Sequence, residues 1–129
     1  MNQADMNRKV CLTIPADPAY APVATLALSG LGMIADLDVD LLGDLRTVAA
    51  EAMDCLRNQA GRPQCIEVCA GMENGMLCVC FKALNRERVQ EQDELDIDIT
   101  RGVLETLMPQ VTLEADEDGV HGILCAMPV

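Results

Sequence analysis

The sequence predicts a two-layer α+β sandwich, and three observations carry that expectation. Strand-like and helix-like segments occur in separate runs, in the order strand, helix, helix, hairpin, helix, hairpin. The 129 residues suit one ordinary domain, long enough to bury a core and too short for two. Leu41, Leu42, Leu45, Val48, Ala49, Ala52 and Leu56 recur at spacings of three and four, the clearest helical period in the chain. Residues 1–8 are polar and read as a frayed tail, which leaves a single domain over 9–129.

Each element has a local reason. Residues 9–14 alternate, with Val10, Leu12 and Ile14 on one side and Lys9, Cys11 and Thr13 on the other, and Pro15 ends the strand. Asp17-Pro18 reads as an N-cap followed by proline at the first helical position. A helix is expected over 18–35, with Val23, Leu26, Ala27, Gly30 and Ile34 near one face. Gly30 and Gly32 weaken it and are expected to permit close packing, not to form a nucleotide loop. Asp38 or Asp40 caps a second helix over about 39–59, closed by Gly61-Arg-Pro63. Strands over 64–70 and 76–83 flank Asn74-Gly75, a strong hairpin signal. The charged stretch 84–97 has no firm period. A short helix over 98–108 stops at Pro109, and strands over 110–115 and 120–127 flank an acidic turn, Asp116 to Gly119.

Composition excludes several functions. Half the residues are apolar, yet only Tyr20 and Phe81 are aromatic, so Leu, Val, Ala, Ile, Met and Cys must build the core. Nine basic against 21 acidic residues give a formal charge of −12. Such a chain repels nucleic-acid phosphates and anionic membrane surfaces. No apolar run reaches the roughly 18 residues of a membrane span, and the first residues lack the apolar region of a signal peptide. Seven cysteines without an export signal read as reduced thiols in a cytoplasm, and their odd number prevents complete internal pairing.

The chemistry-bearing residues are few. The phosphate-loop pattern GxxxxGKS/T and the dinucleotide pattern GxGxxG are both absent. The single histidine, His121, falls by alternation beside Ile123 and Cys125 and reads as structural or solvated. Glu51 lies one position off the apolar stripe of the second helix, with Asp54 and Asn58 at i+3 and i+7 on the same face. Alternation also gathers Cys11, Cys65, Cys69, Cys78 and Cys80 onto the sheet face away from the helices. Half-buried apolar thiols, a covered interface, and a metal or redox cluster all remain open there. The spacings, C-x3-C and C-x-C, are not those of a zinc knuckle.

From Leu26 to Ala52 the segment LALSGLGMIADLDVDLLGDLRTVAAEA resembles, without a gap, the anti-sigma-factor serine/threonine kinases of the GHKL ATPase superfamily. Ile14-Pro-Ala, Pro18-Ala-Tyr20, Thr100 to Met108 and Val111-Thr-Leu-Glu114 resemble the same family. The resemblance implies the Bergerat, histidine-kinase-like ATPase fold, a mixed sheet with three helices on one face. It places Glu51 at the position of the glutamate that activates the attacking hydroxyl. It places Cys55 where the family has its magnesium-binding asparagine, and Gly102 at a glycine-containing helix start. A thiol is a poor ligand for a hard cation, and Asn58 is most of a turn too far on to replace it. The stretch Phe81 to Arg86 lacks the Asp-x-Gly that reads adenine, and the 14 residues from Leu84 to Ile97 contain no glycine to form an ATP lid.

Phosphoryl transfer depends mainly on positioning and charge neutralisation, so binding of ATP and magnesium is expected to be weak or absent. The implied protein is a cytoplasmic, homodimeric regulator that resembles an anti-sigma factor and acts by binding. Its implied partners are a sigma factor or an anti-anti-sigma protein. The alternative is an active serine kinase that phosphorylates such an antagonist, with Glu51 as base. A third reading is a subunit of a larger assembly that keeps the fold as an interaction surface.

Overall fold

A computed structural model describes residues 9–89 and 97–129. The expected tail at 1–8, and residues 90–96 of the charged connection, lie outside the described residues. The chain forms β1 (Val10–Pro15), a 3-10 turn (Pro18–Tyr20), α1 (Ala21–Ile34) and α2 (Val39–Arg57). It continues with β2 (Gly61–Arg62), β3 (Cys65–Glu73), β4 (Met76–Leu84) and β5 (Glu87–Arg88). Helix α3 (Ile97–Leu107), β6 (Gln110–Asp116) and β7 (Gly119–Pro128) complete it.

The caps form where the short acidic side chains sit. Asp17 accepts from the Ala19 N–H, and Asp38 accepts from the Leu41 N–H, each at 2.9 Å. Asn74 and Gly75 both have positive φ, 52° and 75°, as a two-residue hairpin turn of the primed type requires. The short β2–β5 ladder pairs Gly61 with Arg88 and Arg62 with Glu87. It has no sequence signal, because two-residue strands are too short to show a period.

The main sheet has the order β1-β3-β4-β7-β6, and each of its pairings is antiparallel. This corrects the expected mixed sheet. Strands β4 and β6 do run in the same direction, but β7 inserts between them and pairs antiparallel with both. The helices lie on one face: α1 meets β1 and β3, α2 meets β4 and β7, and α3 meets β6. Between the layers, Ile14, Ile66, Val68, Leu77, Val79, Phe81 and Ile123 meet Leu45, Val48, Ala52, Met53 and Leu56 of α2 in one buried cluster. The structure is therefore the α+β two-layer sandwich that the element order implies.

Two sequence expectations fail locally. The α1 face that carries Val23, Leu26, Gly30 and Ile34 points outward, and Ala24, Leu28 and Gly32 are buried instead. Because α1 has no charged residue, composition gives no sign of which side faces water. Gly32 does permit close packing, since a Cβ there would lie 2.5 Å from Leu42 Cδ2, whereas Gly30 has nothing within 4 Å. Near His121 the alternation breaks: Glu114 pairs with Gly122 and Ala115 with Val120, so His121 is the extra residue of a β-bulge.

Candidate functional site

The residues singled out on the second helix lie on α2, where Asp54 and Asn58 line a surface depression while Glu51 and Cys55 stand apart from it. Cys55 is 1% exposed, in contact range of Thr100 on α3, itself 3% exposed. Burial pushes the Cys55 thiol above its ordinary pKa, the Thr100 side chain hydrogen-bonded to it works the other way, and the nearby carboxylates of Glu51 and Asp54 raise it further. The sulfur is thus a neutral, packed group between two helices. Glu51 is half-buried beside it. Gly102 is exposed on α3, with nothing within 4 Å of a Cβ built there.

The polar strip below Glu51 is engaged in local bonds. Asn58 donates from Nδ2 to the Asp54 carbonyl oxygen at 2.7 Å and to its carboxylate at 3.3 Å, and Arg57 donates to the same carboxylate at 3.3 Å. Asn58 therefore caps its own helix. A surface depression of about 540 Å³ begins there, lined by Asp17, Asp54, Arg57, Asn58, Arg62 and Gln64, and it does not reach Glu51, Cys55 or Gly102. Among the described residues, no group of three or more His, Cys, Asp or Glu is placed to hold a metal ion. A magnesium ion at Cys55 would find a buried thiol and a hydroxyl bonded to it. That donor set does not fit a hard cation that binds through several oxygens.

Two polar features had no sequence signal because their partners are far apart in the chain. Gln59, 5% exposed, donates from Nε2 to the Cys55 carbonyl at 2.9 Å and accepts from the Val120 N–H at 3.0 Å. It ties the end of α2 to the β6–β7 turn. Just past the end of β4, Arg86 makes a two-pronged bond to Asp116, 2.7 and 2.9 Å long. Its guanidinium lies against Gly61, where a Cβ would come within 2.7 Å of it. Arg86, aided by the Asp118 backbone N–H, holds the Asp116 carboxyl far below the usual carboxylate range. Arg88 pairs with Asp118 alongside. These bonds seal the turn against β5.

The outer sheet face collects the cysteines as alternation implies. In register, Cys11 stands opposite Cys69, Cys69 opposite Cys80, and Glu67 opposite Lys82. A shallow groove of about 700 Å³ runs over this face, lined by Lys9, Cys69, Cys78, Cys80, Lys82 and Leu124 among others. The expectation that every thiol is reduced is corrected here: Cys11 and Cys69 form a disulfide, with Cα atoms 4.1 Å apart. Their register makes them direct cross-strand neighbours, a relation that strand spacing alone does not reveal. Cys55, Cys65, Cys78, Cys80 and Cys125 are free.

Compared with known proteins, the chain matches no protein-family model and no curated protein. Among the described residues, no helix is long and apolar enough to cross a membrane.

Proposed function

We propose that the chain is a regulatory protein resembling an anti-sigma factor, which acts by binding and carries a degenerate nucleotide site. Its partners on this reading are a sigma factor, an anti-anti-sigma protein, or a second copy in a homodimer. The observation that carries it is the outward face of α1. Leu26 is 72%, Met33 67% and Ile34 80% exposed, on a helix without a charge. Fully burying such a side chain is worth about 1.5–3 kcal/mol, so a contiguous apolar helix face is a natural binding surface. Asp17 at one end and Asp36, Asp38 and Asp40 at the other give it an acidic rim. That rim favours a partner whose apolar patch has basic flanks, and acts mainly on association rate.

The kinase alternative, with Glu51 as base, is disfavoured by the packing of Cys55 on Thr100 and by the Arg86–Asp116 pair. Two measurements test the proposal. The wild-type chain is expected to self-associate in sedimentation velocity or to bind a sigma factor or anti-anti-sigma protein in titration, with Leu26→Asp losing that association and melting unchanged. A wild-type chain that stays monomeric and binds none of them refutes it. Saturating magnesium-ATP is expected to leave the melting temperature unmoved; a rise of several degrees supports the kinase instead.

A further inference from the structure

The outer sheet face carries three cysteines in one cross-strand row, and only one pair of them is bonded. In an antiparallel sheet, directly opposed residues alternate between a close pair and a wider, hydrogen-bonded pair. The 4.1 Å Cα separation makes Cys11 and Cys69 the close kind. A residue of a central strand that forms the close pair on one side forms the wider pair on the other. Cys69 and Cys80 are then the wider kind, with Cα atoms about 5.5 Å apart. That separation lies inside the roughly 4.4–6.8 Å span across which disulfides form. Cys69 therefore faces a second cysteine on its other side, where a bond to Cys80 forms once the strands draw the two Cβ atoms to within about 4.5 Å.

The two arrangements differ in what they expose. Among the described residues, strand β1 is an edge strand paired only with β3, and Cys11 is exposed on it. Cys80 is half-buried and lines the open groove. Burial pushes the Cys80 thiol above its ordinary pKa and the Glu114 and Glu67 carboxylates add to this, while Lys82 and Lys9 pull the other way, so the small thiolate fraction sets the pace of its attack.

We propose that the row Cys11, Cys69 and Cys80 is a thiol–disulfide exchange site that accepts a small disulfide at Cys11. In the first step the Cys80 thiolate attacks Cys69 Sγ. The Cys69–Cys80 bond forms, the Cys11–Cys69 bond breaks, and Cys11 leaves with the electron pair as a thiolate. In the second step Cys11 attacks one sulfur of a low-molecular-weight disulfide of the glutathione class. A mixed disulfide forms on Cys11, and the small thiol leaves with the other electron pair and takes up the proton that Cys80 gave to solvent. Across both steps one protein thiol, that of Cys80, is consumed and one small thiol is released, so the number of disulfide bonds is unchanged and no further oxidant or reductant is needed. The exchange removes the covalent link between β1 and β3 and marks the edge strand.

The test incubates the full chain with oxidised glutathione, quenches by alkylation, and maps the bonds by mass spectrometry after cleavage at glutamate. Cleavage after Glu67 and Glu73 separates Cys69 from Cys78 and Cys80. The expected wild-type product carries glutathione on Cys11 together with a Cys69–Cys80 bond. Cys11→Ser is expected to hold Cys69–Cys80 as its disulfide, and Cys80→Ser to keep Cys11–Cys69 and to lose at least tenfold in Cys11 glutathionylation rate. Alkylated Cys80 in Cys11→Ser overturns the proposal. So does equal modification of Cys11 in wild type and Cys80→Ser. Far-UV circular dichroism of both variants confirms that each is folded.

Discussion

Substituting Gln59 tests how far a single buried amide holds the two halves of the sandwich together. The side chain spans from the Cys55 carbonyl to the Val120 N–H, and Val120 is 1% exposed. Gln59→Ala leaves that N–H without its acceptor, at a cost of about 1–3 kcal/mol. Loss of the buried methylene and amide packing adds about 1 kcal/mol, so a total near 2–4 kcal/mol is expected. Gln59→Glu separates hydrogen bonding from packing. One carboxylate oxygen still accepts from Val120, but the other faces the Cys55 carbonyl, acceptor against acceptor. Only the protonated acid restores a donor there, so the folded carboxyl is expected to titrate above its unfolded value of about 4.3. The variant's stability is then complete below that value and is lost as pH rises, by about 1.4 kcal/mol per pH unit, until the folded group ionises. Urea titrations of wild type and variant at pH 5 and pH 8 read this directly. A midpoint deficit near 1–2 M at pH 8 that shrinks at pH 5, with an unchanged slope, is the expected result. Equal midpoints at pH 8 would refute the assigned role of Gln59.

Four further outcomes follow from contacts elsewhere in the fold. Gly30→Ala should stabilise the chain by about 0.5–1 kcal/mol, because the site is open and helix propensity favours alanine. Gly32→Ala should cost about 1–2 kcal/mol net, because its Cβ meets Leu42 and Leu37; thermal melts of the pair check the difference, and equal shifts would refute it. The Asp116 carboxyl is depressed by Arg86, so its contribution is present above the unfolded value of about 3.9 and is lost as pH falls below it. Asp116→Asn should therefore flatten the acid side of the stability curve, and an unchanged acid limb would count against the pair. Reduction of the Cys11–Cys69 bond, which spans a sequence separation of 58, should lower unfolding stability by at most about 4 kcal/mol on the chain-entropy account. Denaturation with and without a phosphine reductant measures it, and coincident curves would show that the bond does not constrain the unfolded chain.

Much of the architecture was legible in the residues alone. The alternation of β1, the three-four period of α2, the acidic caps at Asp17 and Asp38 and the Asn74-Gly75 turn each encode local geometry in local spacing, and each element formed within a few residues of its expected span. The cysteines of the outer face followed from the same two-residue period. What depended on pairs distant in sequence was not legible. Register decided that Cys11 meets Cys69, strand insertion decided that β7 separates β4 from β6, and close approach decided that Arg86 reaches Asp116 and Gln59 reaches Val120. The orientation of α1 belongs to the same class. A helix that is apolar on every side can turn any face to the core, and its packing against β1, β3 and, through Gly32, against Leu37, Leu42 and Leu45 selected the buried one. Short-range periodicity is written residue by residue along the chain. Register, crossing order and facing are decided by which surfaces fit, and that exists only once the layers have met.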